Sequence, residues 1–106
     1  NKLTGSIPKK INALEFLLEL NLSSNEFTGV IPKTIGDITS LRKIYMNNNS
    51  LSGSIPSTIG KLADLTDLNL LDNFISGSIP FEICLLTDNN LGSILVDPNI
   101  AGCSKL

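Results

Sequence analysis

LSGSIPSTIGKL, Leu51 to Leu62, sets a glycine and a proline among apolar residues, where neither a helix nor a central strand normally tolerates them. The phrase recurs as LTGSIPKKINAL from Leu3, FTGVIPKTIGDI from Phe27 and ISGSIPFEICLL from Ile75. Its prolines fall at 8, 32, 56 and 80, an interval of twenty-four residues each time. A fixed period of this size marks a solenoid, in which no repeat buries its own apolar side and each must stack on its neighbours.

Upstream of the phrase a second pattern repeats. LLELNLSSN, LRKIYMNNN and LTDLNLLDN, ending at Asn25, Asn49 and Asn73, share the frame L-x-x-L-x-L-x-x-N. In Leu20-Asn21-Leu22, Ile44-Tyr45-Met46 and Leu68-Asn69-Leu70 the outer residues point into a core and the middle one faces out, so stacked repeats make one parallel sheet. Each Asn ends a strand where the chain turns inward, and its amide can satisfy backbone groups that the turn buries. Gly29, Gly53 and Gly77 allow a backbone geometry or an approach that a side chain would block. Pro32, Pro56 and Pro80 hold Ile31, Ile55 and Ile79 extended and stop a helix from starting early. Ile35 with Ile38, and Ile59 with Leu62, return to the core at a spacing of three, which suits a short 3₁₀ turn.

The two patterns together resemble the leucine-rich repeat family, and F/L/I-S/T-G-x-I-P-x-x-I-G-x-L resembles its plant-type subfamily, familiar from receptor-kinase ectodomains and secreted inhibitors of pathogen enzymes. The resemblance implies an α/β leucine-rich repeat solenoid with a curved parallel sheet on the concave face and 3₁₀ turns and loops on the convex face. It reads as one domain over 1–106: a partial repeat at 1–16, full repeats at 17–40, 41–64 and 65–90, and a C-terminal cap at 91–106. Because the chain starts inside a repeat, missing N-terminal repeats or a neighbouring chain are expected to cover that end.

After Pro80 the frame slips by two residues, and Leu91, Ile94, Val96 and Asn99 restore it. Cys84 replaces the Gly of positions 36 and 60, and Cys103 lies just beyond the last strand. The pair reads either as a cap disulfide, stabilising by about 3 kcal/mol on chain-entropy grounds, or as two half-buried thiols. The ending EICLLTDNNLGSILVD departs from the usual plant-type cap and resembles repeat proteins of diatoms and related algae.

The chain is 42% hydrophobic and 17% charged, with a formal charge of −2, which gives no reason to expect nucleic acid as a partner. Charge is polarised: residues 1–53 carry six basic and four acidic groups, residues 54–106 two and six. No histidine is present, so Ser-His-Asp and Cys-His arrangements and histidine zinc sites are impossible within the chain, and two cysteines cannot form a four-thiolate site. No enzyme activity, cofactor or metal is expected. The sequons Asn21-Leu22-Ser23 and Asn48-Asn49-Ser50 make Asn21 and Asn48 candidates for glycosylation in a secreted chain.

Two functions remain open. The resemblance implies a recognition module that binds a protein, peptide or glycan through the concave face, at the cell surface or outside the cell. The other is a structural or scaffolding subunit packed into a larger multiprotein assembly, organellar or membrane-associated. Arg42, Lys43, Tyr45, Asn47, Asn21, Asp67, Asn69 and Leu71 are the candidate ligand-contacting residues, a mixture of charge, amide and one aromatic that favours recognition. Glu19, Lys43 and Asp67 occupy one column and predict an alternating charge ladder. Tyr45, taken as the one aromatic at an outward strand position, is the candidate anchor.

Overall fold

A computed structural model describes residues 2–103; the final three residues of the expected 91–106 cap and the first of the 1–16 repeat lie outside the described residues. Strands β2 (Glu19–Asn21), β4 (Lys43–Tyr45), β6 (Asp67–Asn69) and β8 (Ser93–Leu95) form one parallel sheet in the order β2-β4-β6-β8. Leu20, Ile44, Leu68 and Ile94 stand in register along it. The first three of these are buried, and their neighbours face outward, as a period of two requires. The slip near the end is real: Leu68 pairs with Ile94, two residues beyond the regular interval.

A second parallel strip, unforeseen in the sequence, is formed by the Ser/Thr-Gly segments. β1 (Thr4–Ser6) pairs with β3 (Glu26–Thr28), and β5 (Ser52–Gly53) with β7 (Phe74–Ile75). Single bridges from Val30 to Ser52 and from Ser78 to Ala101 extend it. Partners here are twenty-two residues apart in the strands, not twenty-four, so adjacent coils are slipped by two residues, about 6.6 Å along the strand. Gly5, Gly29, Gly53 and Gly77 have φ of 86°, 77°, 76° and 92°, a region open mainly to glycine, and Gly29 and Gly53 still present their carbonyls to Ser52 and Ser76 of the next coil.

On the opposite side lie 3₁₀ turns at Lys9–Ala13, Lys33–Asp37 and Ser57–Lys61. Pro8, Pro32 and Pro56 precede them in extended conformation, and Ile35 and Ile59 carry the turns into the core with no exposed surface. Thr34 and Thr58 hydroxyls donate to the Lys9 and Lys33 carbonyls of the preceding coil, each at 2.6 Å. The turns stack so closely that a Cβ on Gly36 would stand 2.3 Å from the Thr58 carbonyl oxygen, and one on Gly60 would stand 2.6 Å from Glu82 Cβ. In the last coil the turn becomes helix α1 (Phe81–Cys84) followed by a 3₁₀ turn at Leu85–Asp88. No further turn among the described residues stacks on it, so a side chain fits at 84, and Cys84 is bridged to Cys103 across a Cα separation of 5.6 Å.

Between these surfaces one apolar core runs continuously from Ile7 to Ile100. Among the described residues its only buried polar one is Asn49, at 8% exposure. Asn49 Nδ2 donates to the carbonyls of Leu22 at 2.9 Å and Met46 at 3.1 Å, and its Oδ1 accepts from Phe27 N–H at 3.1 Å. Asn73 repeats this one coil on, donating to Met46 and Leu70 and accepting from Leu51 N–H. Asn25 accepts from Leu3 N–H and donates to Leu22. Asn99 does not continue the series: its amide donates to the Ile75 carbonyl, and Asp97 instead accepts from the N–H groups of Asp72 and Asn73 at 2.8 and 3.1 Å. In the inner coils the matching N–H groups of Asn48 and Asn49 find carbonyls of the next coil, so the Asp97 carboxylate takes the place of backbone where regular stacking ends.

Two stability outcomes follow. Asn49→Ala leaves the Phe27 N–H unpaired, at about 1–3 kcal/mol, and removes one of the two side-chain donors of each of the Leu22 and Met46 carbonyls, so chemical denaturation is expected to show a loss of about 2–4 kcal/mol. Gly36→Ala forces two backbones apart and is expected to lower stability by about 1–3 kcal/mol; Gly92→Ala, which meets no atom within 4 Å, is the matched control. Equal melting temperatures for those two alanine variants would contradict the stacking argument.

Candidate functional site

The outward face of the four-stranded sheet is built from two columns. Glu19, Lys43, Asp67 and Ser93 stand in register in one, and Asn21, Tyr45, Asn69 and Leu95 in the other. The central Leu or Ile of each strand is held in the core, so both neighbours must project outward. Arg42 and Thr66 stand before the strands. The Arg42 carbonyl accepts from Thr66 N–H at 2.7 Å and Thr66 Oγ1 at 3.0 Å, which fixes its backbone and leaves the guanidinium exposed.

The charge ladder forms on one side only. Lys43 Nζ lies 3.7 Å from Asp67 Oδ2, and among the described residues it makes no ion pair with Glu19. Glu19 and Asp67 stand two strand spacings apart, about 9.6 Å, too far for one ammonium to hold both unless the side chains lean together. The more enclosed carboxylate wins: the Asp67 side chain is 31% exposed, and the Tyr45 hydroxyl approaches the same Oδ2 at 3.5 Å.

Tyr45 is half-buried rather than free-standing. Nor is it the sole outward aromatic, since Phe16, Phe74 and Phe81 are 87%, 71% and 69% exposed, with Phe74 lying in β7. The repeat explains this. The three Phe fall in columns that hold Ser40 and Asp64, Glu26 and Ser50, and Lys33 and Ser57 in other coils, all of them solvent positions. Phe27 alone packs against the core.

Asn21 Oδ1 accepts from the Ser23 N–H at 3.1 Å and the Ser23 hydroxyl at 2.6 Å, and Asn69 Oδ1 accepts from Leu71 N–H at 3.1 Å. Each side chain thus caps its own strand in an Asx-type turn, while its Nδ2 finds no protein acceptor among the described residues. Asn47 and Leu71 are half-buried, and their carbonyls hold the N–H groups of Ser24 and Asn48 at 2.9 Å. Ser24, Asn48 and Asp72 have φ of 57°, 60° and 58°, a left-handed kink repeated in each coil. The readable signal was a short polar residue before each Asn, the type that enters this region most readily. The Asn48 side chain is exposed beside that kink, and Asn21 is exposed on the sheet. Among the described residues no three potential metal ligands gather.

The Leucine Rich Repeat family model matches residues 16–38 and 40–62. A search of curated proteins gives no match. Among solved structures, the ectodomain of the Arabidopsis receptor kinase HAESA, in complex with an N-terminally extended IDA peptide hormone, superposes with a TM-score of 0.86 at 38% identity, over 96% of this chain and 17% of that one. The plant peptide hormone receptor RGFR1 in complex with RGF2 gives 0.87 at 33% identity, over 91% and 15%. The BIR2 ectodomain from Arabidopsis thaliana gives 0.83 at 32%, over 95% and 52%. The chain therefore spans between 15% and 52% of the length of these three proteins' chains.

The one-sided ion pair yields a direct comparison. Lys43→Ala removes an exposed pair worth about 0–1 kcal/mol, whereas Leu68→Ala empties a fully buried site at about 2–5 kcal/mol. A melting temperature lowered as much by the first as by the second would place Lys43 among the residues that hold the fold.

Proposed function

Because the chain is a leucine-rich repeat protein with repeats of the plant type, we propose that it is a recognition module binding a protein or peptide through the outward columns of its four-stranded sheet, on the concave face of the solenoid. The observation that carries this reading is the register of those columns. Glu19, Lys43 and Asp67, with Asn21, Tyr45 and Asn69, are presented from a rigid sheet whose stability comes from the opposite side chains. A single ion pair occupies the first column, leaving Arg42, Glu19 and the amides of Asn21 and Asn69 available to a ligand. Similar structures are receptor ectodomains, two of them bound to peptide hormones, which supports a protein or peptide ligand and an extracellular or cell-surface setting over catalysis or a standing scaffold.

Within this face Tyr45 is the anchor. Its ring is partly covered and its hydroxyl is oriented toward Asp67, so little side-chain freedom is left to lose when a ligand closes over it. Asn69 is its register partner and Asp67 its hydroxyl's neighbour, and the proposed contact surface extends to Arg42, Lys43, Asn47 and Leu71. The cleanest test compares affinity capture from the native extracellular fraction by the full-length protein and by Tyr45→Ala. The expected result is at least a tenfold drop in captured partner with an almost unchanged melting temperature. Undiminished capture by a folded Tyr45→Ala protein would move the binding face elsewhere.

A further inference from the structure

A groove of about 560 Å³ runs along the flank of the solenoid, across three coils, away from the columns of the four-stranded sheet. Its floor is made by Pro8, Pro32 and Pro56 with Ile7 and Ile31, and Val30 stands on its wall. We propose that this groove takes a short acidic peptide segment of another protein, with an apolar side chain on the proline floor and adjacent carboxylates on Lys9 and Lys33.

Charge complementarity selects the occupant. Among the described residues Lys9 and Lys33 are the only charged ones lining the groove, and no carboxylate lines it. Both are exposed, and neither enters an ion pair among the described residues. The nearest acidic residue of the same turn series, Asp37, is already engaged by Lys61 Nζ at 4.0 Å and by Asn12 Nδ2 at 3.2 Å. Nor do the lysines sit on a loose loop. Their carbonyls accept the Thr34 and Thr58 hydroxyls, so two ammonium-bearing residues hold matched places on successive coils. A partner that meets both needs negative charge at two neighbouring positions, which consecutive Asp or Glu residues supply.

The apolar half of the site has its own evidence. Val30 occupies the column of Ser6, Ser54 and Ser78, and it is 58% exposed, so it does no core duty there. Its Cγ1 lies over Gly53, 2.8 Å from where a Cβ would stand, so the glycine there is what leaves room for this side chain on the groove wall. Proline lacks an N–H, so the three prolines offer shape and apolar surface without donors, while Ser6 and Ser54 add neutral hydroxyls to the lining. Selection for charge then falls to the lysines. The volume exceeds what one carboxylate fills.

The test is an NMR titration of the ¹⁵N-labelled protein with the blocked peptide Glu-Asp-Phe-Glu-Asp. Expected are shifts at the amides of Val30, Ile31 and Ser54, at least a tenfold weaker Kd for the Lys9→Glu/Lys33→Glu double variant, at least a threefold weaker Kd for Val30→Ser, and no change for Tyr45→Ala. A peptide with Gly in place of Phe should bind at least fivefold more weakly. Shifts confined to Arg42, Lys43 and Tyr45 would overturn the proposal, as would unchanged affinity of the double variant, equal binding of the Gly peptide, or no saturable binding. Should the charge-reversed protein fail to fold, Lys9→Gln/Lys33→Gln, which removes the charge and keeps a polar side chain only one atom shorter, must lower affinity at least threefold or the proposal falls.

Discussion

A solenoid with strands of three residues must turn the chain inward at every coil, and the turn carries backbone carbonyls into a place where water cannot reach them. The amide of Asn49 resolves this in one side chain. It donates to carbonyls of two different coils and accepts the Phe27 N–H of the preceding coil, so it is at once the end of a strand and a tie between repeats. An unpaired buried polar group costs about 1–3 kcal/mol, comparable with a large share of a small domain's net stability of about 5–15 kcal/mol. Asp cannot replace it, since a carboxylate has no donors. The period, the strand position and the core are all subordinate to keeping that amide in register.

This dependence explains which features could be read from the residues. The Asn column, the Pro column and the alternating Leu and Ile are side-chain requirements, and they fixed the sheet, the 3₁₀ turns and the core. Gly36 and Gly60 were legible as a column, and their reason is the approach of the next coil to 2.3 and 2.6 Å of a would-be Cβ. Cys84 departs from that column where no further turn stacks among the described residues, and it is free to form the bridge to Cys103. The second strip escaped notice because backbone N–H and C=O groups make it, at a slip of two residues that leaves no apolar alternation.

The candidate site was legible in outline and wrong in detail for a related reason. Outwardness is set by the period, so the columns of Glu19, Lys43 and Asp67 and of Asn21, Tyr45 and Asn69 were certain once the frame was known. How exposed side chains then lean is not periodic. Lys43 chooses Asp67 over Glu19, and Tyr45 lies half-covered beside the same carboxylate, because local enclosure decides between partners of equal charge. Likewise Phe16, Phe74 and Phe81 follow their columns to the surface although apolar character alone would place them inside.

The last coil shows what holds the register when repetition stops. Its turn lengthens from five residues to the eight that span Phe81 to Asp88, and the two extra residues of the frame slip are absorbed there, on the side opposite the sheet, so β8 still meets β6 in step. Backbone N–H groups of Asp72 and Asn73 lie beyond the paired register, which ends at Asn69 and Leu95. Asp97 supplies two acceptor oxygens from one side chain in place of two carbonyls, and charge-assisted bonds of this kind are stronger than neutral ones. The disulfide acts on the same segment from the other side, joining the long turn to the residues beyond the last strand. Stability at this end therefore rests on a carboxylate and a covalent bond, while the inner coils rest on amides and stacking. Since neither device uses the outward columns of the sheet, Glu19, Lys43, Tyr45 and Asp67 on the surface proposed for recognition can change without loosening the coil beneath them, whereas Asn21 and Asn69 also cap their strands.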